Sequence, residues 1–141
     1  MTNKEKIEFL LKEQGIRDKQ FLDTLIHENF KLEWDSSTGN SVLDKQFILN
    51  ISDVINSNYE IFYSEISHLI EDKNKIVVKY NHKVATIENP KEIMLIAKVV
   101  AIFTFEDGKI IDGYLISQPN KKNLLKTASV FSKKLTFAAQ F

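Results

Sequence analysis

The feature that most constrains the fold of this chain is a hairpin near its end, "FTFEDGKIIDGYLISQP", which spans Phe103–Pro119. Asp107-Gly108 is the strongest hairpin signal that a short sequence can carry, because both central residues of a type I′ turn adopt positive φ. Apolar residues occupy both alternating sets of positions on either side of this turn. An antiparallel sheet with one solvated face should instead alternate apolar and polar residues. The two strands therefore need cover on both faces.

A two-residue loop predicts the register of this hairpin. Phe103 should lie opposite Asp112, and Ala101 opposite Tyr114, which puts Tyr114 on the face that the N-terminal helices cover. A second copy of the same sheet is the simplest cover for the other face, so the sequence predicts a homodimer through the sheet. The alternative is that the tail of the chain folds back over that face.

The earlier part of the chain begins with helical patterns. Apolar spacing predicts a first helix over residues 3–14, capped by Thr2 or Asn3, and a second helix that starts at Asp18. A short strand, Phe30–Trp34, follows, and "SSTGN" is typical of a loop. A third helix is predicted from about Asp44 to Ile55.

Strand patterns follow the third helix. "YEIFYSEISHLIE", "KIVVKYNHKVATI", "EIMLIAKVVAIFTFE" and "KIIDGYLISQ" are rich in β-branched and aromatic residues, and short turns separate them. They predict an antiparallel meander of three hairpins. Helices followed by a sheet indicate an α+β fold.

Composition excludes several classes of protein. The chain has 141 residues and no cysteine, which fits one domain without disulfides, a thiolate nucleophile or a sulfur-ligated zinc site. The formal net charge is zero and Arg17 is the single arginine, so nothing favours nucleic acid as a partner. The N-terminus lacks the apolar run of a signal peptide, and we expect a cytoplasmic protein without membrane spans.

The chain divides into a domain over residues 1–118 and an extension over residues 119–141. The extension carries five lysines and no acidic residue, so the domain has an excess of acid. Leu124, Phe131 and Leu135 follow helical spacing. We expect a basic amphipathic helix or arm that docks on the domain or on the partner subunit, with membrane-surface binding as the alternative.

The order of these segments resembles the nuclear transport factor 2-like superfamily, and in particular its SnoaL-like group. The matching segments are "DKQFLDTLIHENFKLEWDSSTG" and "FTFEDGKIIDGYLIS", and the resemblance covers Lys4–Gln118. It implies N-terminal helices packed on a strongly curved antiparallel sheet, which together form a cone with an internal apolar cavity. The superfamily includes ketosteroid isomerases, polyketide cyclases and members that only bind or transport other molecules.

The resemblance also implies where a catalytic carboxylate should lie. Several SnoaL-like cyclases carry an aspartate some ten residues past the last hairpin turn, which corresponds here to Ser117 or Gln118. Neither side chain can act as a base, so this sequence departs from the cyclase pattern. Gln118 stays a candidate ligand contact.

The strand "KIVVKYNHKVATI" supplies the candidate catalytic residues. Its lysines should face water, so Tyr80 and His82 should point into the interior. If "DKNK" makes a compact turn, Glu65 lies opposite His82, and a buried acid would raise the pKa of the histidine and make it a general base. The alternatives are that the pair only satisfies itself at a cavity edge, or that a bulge near Ser64 removes Glu65 from that face.

Three further aromatic and polar residues are candidate ligand contacts. Tyr114 and Tyr80 can project hydroxyl groups into a cavity, although core packing would also explain Tyr114. Trp34 fits the mouth of a pocket and the core equally well. We expect no metal site and no cofactor, because the three histidines stand on separate elements without ligand spacing.

These observations predict a protein that binds a small hydrophobic molecule in the cone. Acid–base chemistry of the isomerase, dehydratase or cyclase type would suit such a site, with His82 and Glu65 as the catalytic pair. The alternative is a non-catalytic dimeric module that binds a protein or a lipid. The sequence leaves open whether the chain is an enzyme.

Overall fold

A computed structural model of the chain describes residues 1–37 and 39–128, with side chains up to residue 124. Its helices are α1 (Asn3–Leu11), α2 (Lys19–Leu25), α3 (Lys45–Asn58) and α4 (Lys121–Ala128), with a 3-10 turn at Gly15–Arg17. Its strands are β1 (Ile26–Ser36), β2 (Gly39–Asp44), β3 (Tyr59–Asp72), β4 (Lys75–Thr86), β5 (Met94–Glu106) and β6 (Lys109–Pro119).

The strands form one sheet in the order β2-β1-β6-β5-β4-β3 over the described residues. The predicted α+β class and the meander from β3 to β6 are confirmed. The sheet is mixed rather than wholly antiparallel, because β1 runs parallel to β6. Parallel pairing requires a long crossover, and the whole chain from β2 to β5 provides it.

Side-chain caps begin the helices as the sequence indicates. Thr2 Oγ1 accepts from the Glu5 amide at 3.1 Å, and Glu5 Oε1 accepts from the Thr2 amide at 3.0 Å, which is a complete capping box. Asp18 and Asp44 cap α2 and α3 through the amides of Phe21 and Phe47. Each of these caps joins residues three apart in the sequence, so the helix starts follow from local signals.

Strand β2 is absent from the sequence prediction, which placed a loop and a helix start over its residues. Only Leu43 is buried in it, so the strand has no alternating apolar pattern. Its position is set by pairing with β1, where Leu32 lies opposite Leu43 and Trp34 opposite Ser41. An edge strand of this kind depends on its neighbour rather than on its own composition.

Helices α1, α2 and α3 cover the inner face of the sheet. The largest fully buried side chains include Ile7 from α1, Leu22 from α2 and Ile55 from α3, together with inward residues of the strands. These residues belong to one continuous hydrophobic core. One face of the terminal hairpin is therefore covered, as predicted.

The terminal hairpin contains the predicted turn but a different register. Asp107 and Gly108 have φ of 52° and 77°, as a type I′ turn requires. Beyond the turn, Ile110 pairs with Phe105 and Asp112 with Thr104, so Ile111 is an extra residue in β6. The predicted pairing of Phe103 with Asp112 is wrong, because a bulge reverses the direction of every side chain that follows it.

Strand β3 contains a second bulge of the same kind. Ile66 pairs with Tyr80 and His68 with Lys79, which leaves Ser67 without a partner position. Glu71 lies opposite Ile76, as the compact turn predicts, but the register differs by one residue beyond Ser67. Ser64, and not Glu65, therefore lies opposite His82.

The outer face of the sheet is exposed in the single chain and carries an apolar patch at its centre. We call it the outer patch; Val77, Val100, Ile102 and Ile116 compose it, and each is between 36% and 48% exposed. Within residues 1–37 and 39–128, no helix covers this patch.

The start of the C-terminal extension lies against its own domain. The Asn120 amide donates to Ile96 O at 2.7 Å, Asn123 Nδ2 donates to Leu95 O at 2.9 Å, and Leu124 packs against the core. The predicted docking of residues 129–141 falls outside the described residues. Within residues 1–37 and 39–128, no helix is long and apolar enough to cross a membrane.

The single arginine joins the 3-10 turn to the junction of α3 and β3. Arg17 donates to Tyr59 O at 2.6 Å, to Glu60 O at 3.2 Å and to Asn56 Oδ1 at 3.0 Å. Asn56 Nδ2 donates back to Arg17 O at 2.9 Å. This planar fork holds the turn in place over the helix layer.

We expect Arg17→Lys to lower the free energy of unfolding by about 1–3 kcal/mol, because lysine cannot donate to three acceptors in the same plane. Urea denaturation checks this, with exposed Lys12→Arg as the control that should change stability by less than about 0.5 kcal/mol. An Arg17→Lys midpoint equal to the wild type would contradict a stabilising role for the fork.

Candidate functional site

A cavity lies between the helix layer and the inner face of the sheet. The volume in which the centre of a water molecule fits is about 70 Å³. A single water needs about 10–15 Å³ by this measure, so the space suits one small molecule. Its lining is Leu10, Leu11, Ile16, Leu22, Leu25, Ile26, Phe30, Leu32, Ile48, Phe62, Tyr63, Ser64, Tyr80, His82, Phe103, Ile110 and Leu115.

The polar part of the lining comes from β3 and β4. Tyr80 and His82 are 2% and 1% exposed, and both point inward, as the lysine alternation on β4 predicts. Tyr63 and Ser64 contribute from β3. Since the remaining lining residues are apolar, a bound molecule would find its hydrogen-bonding partners on one side of the cavity only.

His82 has one hydrogen-bonding neighbour within the described part of the chain. Its Nδ1 lies 3.3 Å from Ser64 Oγ, and its ring meets the Phe62 ring edge-on with centroids 4.2 Å apart. Its Nε2 is buried and makes no hydrogen bond to any described residue. A buried donor or acceptor without a partner is costly, so Nε2 is a candidate hydrogen-bonding contact for a bound molecule.

Burial decides the charge of His82. Desolvation lowers the pKa of His82 from 6.5 to about 3, because no carboxylate compensates the loss of water around the imidazole. The hypothesis that a buried acid raises this pKa is therefore wrong. Burial also raises the pKa of Tyr80. Both side chains are neutral at physiological pH and can only donate and accept hydrogen bonds.

Glu65 lies on the outer face of the sheet. It pairs with Asn81 in the ladder, and its carboxylate is 3.4 Å from Lys83 Nζ in an exposed ion pair. The predicted contact between Glu65 and His82 is wrong because the bulge at Ser67 moves Glu65 to the opposite face. Its place beside the imidazole belongs to Ser64.

Tyr114 also lies on the outer face, so its predicted orientation into the cavity is wrong. The bulge at Ile111 turns it outward, where its hydroxyl donates to Asp35 Oδ2 at 2.6 Å. Asn40 Nδ2 donates to Asp35 Oδ1 at 2.8 Å and to Glu33 Oε2 at 3.0 Å. The hydrogen bonds from Tyr114 and Asn40 lower the pKa of Asp35, and the bond to Asp35 raises the pKa of Tyr114.

Trp34 and Gln118 do not line the cavity. Trp34 is 1% exposed and donates from Nε1 to Ser117 Oγ at 2.8 Å, so it is a core anchor rather than a residue of the pocket mouth. Ser117 thus occupies the inward position that the resemblance assigns to an aspartate. Gln118 is exposed opposite Lys98 and lines a shallow depression of about 180 Å³ beside Asn120.

Sequence reasoning missed Ser64 as a site residue. The alternation of Phe62, Ser64 and Ile66 within "YEIFYSEI" was a signal that could have found it, because all three share a face of β3. The described ranges, 1–37 and 39–128, contain no cluster of three metal-ligating side chains.

Comparison with known proteins identifies the fold through structure alone. No protein-family model matches the sequence, and no curated protein does. The crystal structure of IdmH, a candidate polyketide cyclase from Streptomyces antibioticus, matches with a TM-score of 0.66 at 11% identity over 92% of this chain and 99% of that chain. A candidate SnoaL-like polyketide cyclase from Jannaschia sp. CCS1 matches with a TM-score of 0.65 at 12% identity, over 92% and 93% of the two chains.

A third structure carries the name of the superfamily. It is a nuclear transport factor 2-like protein of unknown function from Burkholderia pseudomallei, with a TM-score of 0.61 at 12% identity, over 90% of this chain and 98% of that chain. The chain has the nuclear transport factor 2-like fold. This confirms the resemblance seen in the sequence at the level of the fold. Because the nuclear transport factor 2-like fold hosts many functions, the chemistry has to be argued from the cavity.

We expect stability to depend on pH through His82. The unfolded chain protonates this histidine near pH 6.5, whereas the folded chain keeps it neutral down to about pH 3. The stability that neutral His82 contributes to the fold is therefore fully present above pH 6.5 and is lost as pH falls towards 3. Between pH 6.5 and 5, the loss should be about 1.6 kcal/mol.

Urea denaturation at several pH values measures this slope in the wild type, His82→Phe and His68→Gln. In His82→Phe, the slope of the free energy of unfolding against pH should be smaller by the equivalent of one proton. His68→Gln, at an exposed position, serves as the matched control. Equal slopes in the wild type and His82→Phe would show that the imidazole charges in the folded state.

Proposed function

We propose that this protein binds a small, predominantly apolar molecule in the cavity between its helices and its sheet. The observation that carries the proposal is an apolar cavity with one polar wall, formed by Ser64, Tyr80 and His82. Burying the apolar surface of a ligand there would supply the affinity, at roughly 25 cal/mol per Å². The polar wall would orient the molecule.

The state of His82 favours binding over acid–base catalysis. A general base works best when its pKa lies near the operating pH, and the pKa of His82 is lowered to about 3. Glu65, the proposed partner for proton transfer, faces solvent on the other side of the sheet. A neutral imidazole beside a serine hydroxyl suits hydrogen bonding to a ligand.

Filling the cavity should abolish binding without unfolding the protein. Leu25 lines the cavity at the end of α2 and is 3% exposed. We expect Leu25→Phe to occupy the space of the ligand, while Leu25→Ile, which has the same number of atoms, should retain binding. The probe is methylenecyclohexane, and its binding is measured by thermal shift and by NMR of the methyl groups of the cavity residues.

In the wild type, a probe concentration ten times Kd should stabilise the fold by about 1.4 kcal/mol. Leu25→Phe should remove this stabilisation. Chemical-shift changes confined to surface methyl groups, or equal binding by Leu25→Phe and the wild type, would refute the cavity as the binding site.

We also propose that the protein forms a homodimer through the outer patch. Four apolar side chains, each more than a third exposed, lie together at the centre of the outer face. Opposite charges lie on the two sides of this patch. Across the sheet, Lys79 of β4 is paired with Val100 of β5, and Asp35 of β1 is paired with Ile116 of β6. A two-fold axis along the strands, between β5 and β6, would place Lys79 opposite Asp35 of the partner subunit.

Light scattering after size exclusion tests the dimer, with twice the chain mass of 16.3 kDa expected for the wild type. Ile116→Lys should yield the single chain, because it places a charge at the centre of the patch. Exposed Ile87→Lys lies outside the patch and should leave the mass unchanged. A wild type at 16.3 kDa across the concentration range would refute this interface.

A further inference from the structure

The tautomer of His82, in the polar wall of the cavity, can be assigned from the hydrogen bonds around its ring. Ser64 Oγ and His82 Nδ1 are neighbours at 3.3 Å, and neither atom has another hydrogen bond to a described residue. Both residues are buried, with exposures of 4% and 1%. One hydrogen therefore lies between the two atoms, and it belongs either to the serine or to the imidazole.

The two arrangements differ in which buried groups they leave without a partner. If Ser64 donates to Nδ1, the single ring hydrogen of the neutral imidazole is on Nε2, which leaves Nε2–H and the lone pairs of the serine oxygen unused. If Nδ1–H donates to Ser64, the serine hydrogen and the Nε2 lone pair are unused. Each arrangement leaves one donor over, and the first is favoured because the lone pair of an imidazole nitrogen is the stronger acceptor and costs more to leave unpaired than those of an oxygen that already donates. His82 then presents a hydrogen-bond donor.

We propose that the cavity selects uncharged ligands that carry a hydrogen-bond acceptor, such as a carbonyl oxygen, and that this acceptor pairs with Nε2–H of His82. The proposal rests on the function proposed above and narrows it to a class of ligand. Ser64 acts as a positioning residue, because its hydroxyl holds the imidazole in the tautomer that donates from Nε2.

Charge supports the same class of ligand. The lining residues of the cavity comprise apolar side chains, two tyrosines, a serine and a neutral histidine. A carboxylate or an ammonium group placed there would lose its hydration without gaining an opposite charge. A ketone, an aldehyde or an ester keeps the acceptor without that cost, and the rest of the molecule contacts the apolar lining.

The tautomer is measured directly by long-range ¹H–¹⁵N correlation on protein with ¹⁵N-labelled histidine at pH 7. His82 should show a protonated Nε2 and an unprotonated Nδ1. Ser64→Ala should shift the population towards Nδ1–H, because the bond that selects the tautomer is lost. A wild-type His82 protonated on Nδ1 would overturn the proposal, whether or not any ligand binds.

The ligand class is tested with a pair of molecules of nearly equal shape, cyclohexanone and methylenecyclohexane. The ratio of their dissociation constants is measured for the wild type and for His82→Phe, so that differences in hydration cancel between the two proteins. In His82→Phe, the affinity for the ketone should fall at least tenfold relative to the affinity for the hydrocarbon. His82→Gln, which retains an N–H donor, should recover part of that preference.

The outcomes separate this inference from the function on which it rests. If both molecules bind the wild type and the ratio is unchanged in His82→Phe, the apolar cavity binds ligands and the acceptor preference is refuted. If neither molecule binds, the proposed function fails and this inference fails with it. The Nε2 shift of wild-type His82 on adding cyclohexanone gives the same answer without any variant, should His82→Phe not fold.

Discussion

The structure depends on the two-residue period of side-chain direction along each strand, and on the points where a bulge reverses it. Ser67 in β3 and Ile111 in β6 are such points. The first brings Ser64 inward to His82 and leaves Glu65 outside, and the second turns Tyr114 to the outer face. Two single-residue insertions therefore decide which chemistry the cavity contains.

The cavity takes its character from desolvation. His82 lies under the helix layer without a counter-charge, so it stays neutral, and its only described hydrogen-bonding partner is a serine. A group of this kind weakens the fold as acid is added. The same feature that lowers stability at low pH supplies an oriented hydrogen-bonding group inside an apolar space.

Much of the fold could be predicted because its signals are local. The capping box at Thr2, the aspartate caps at Asp18 and Asp44, and the type I′ turn at Asp107 each involve residues close in sequence. Strand β2 escaped prediction since its stability comes from pairing with β1. The site was predicted in part: His82 and Tyr80 line the cavity, whereas Glu65, Tyr114, Trp34 and Gln118 lie elsewhere.

The sequence by itself determined the helix starts, the last hairpin turn, the α+β class and the inward direction of Tyr80 and His82, because each follows from periodicity or from turn chemistry. Only the tertiary structure decided which side chain stands beside His82. A bulge forms where two neighbouring strands pair more favourably when one of them contains an extra residue. That balance is a sum over contacts between distant segments, so no short stretch of sequence contains it.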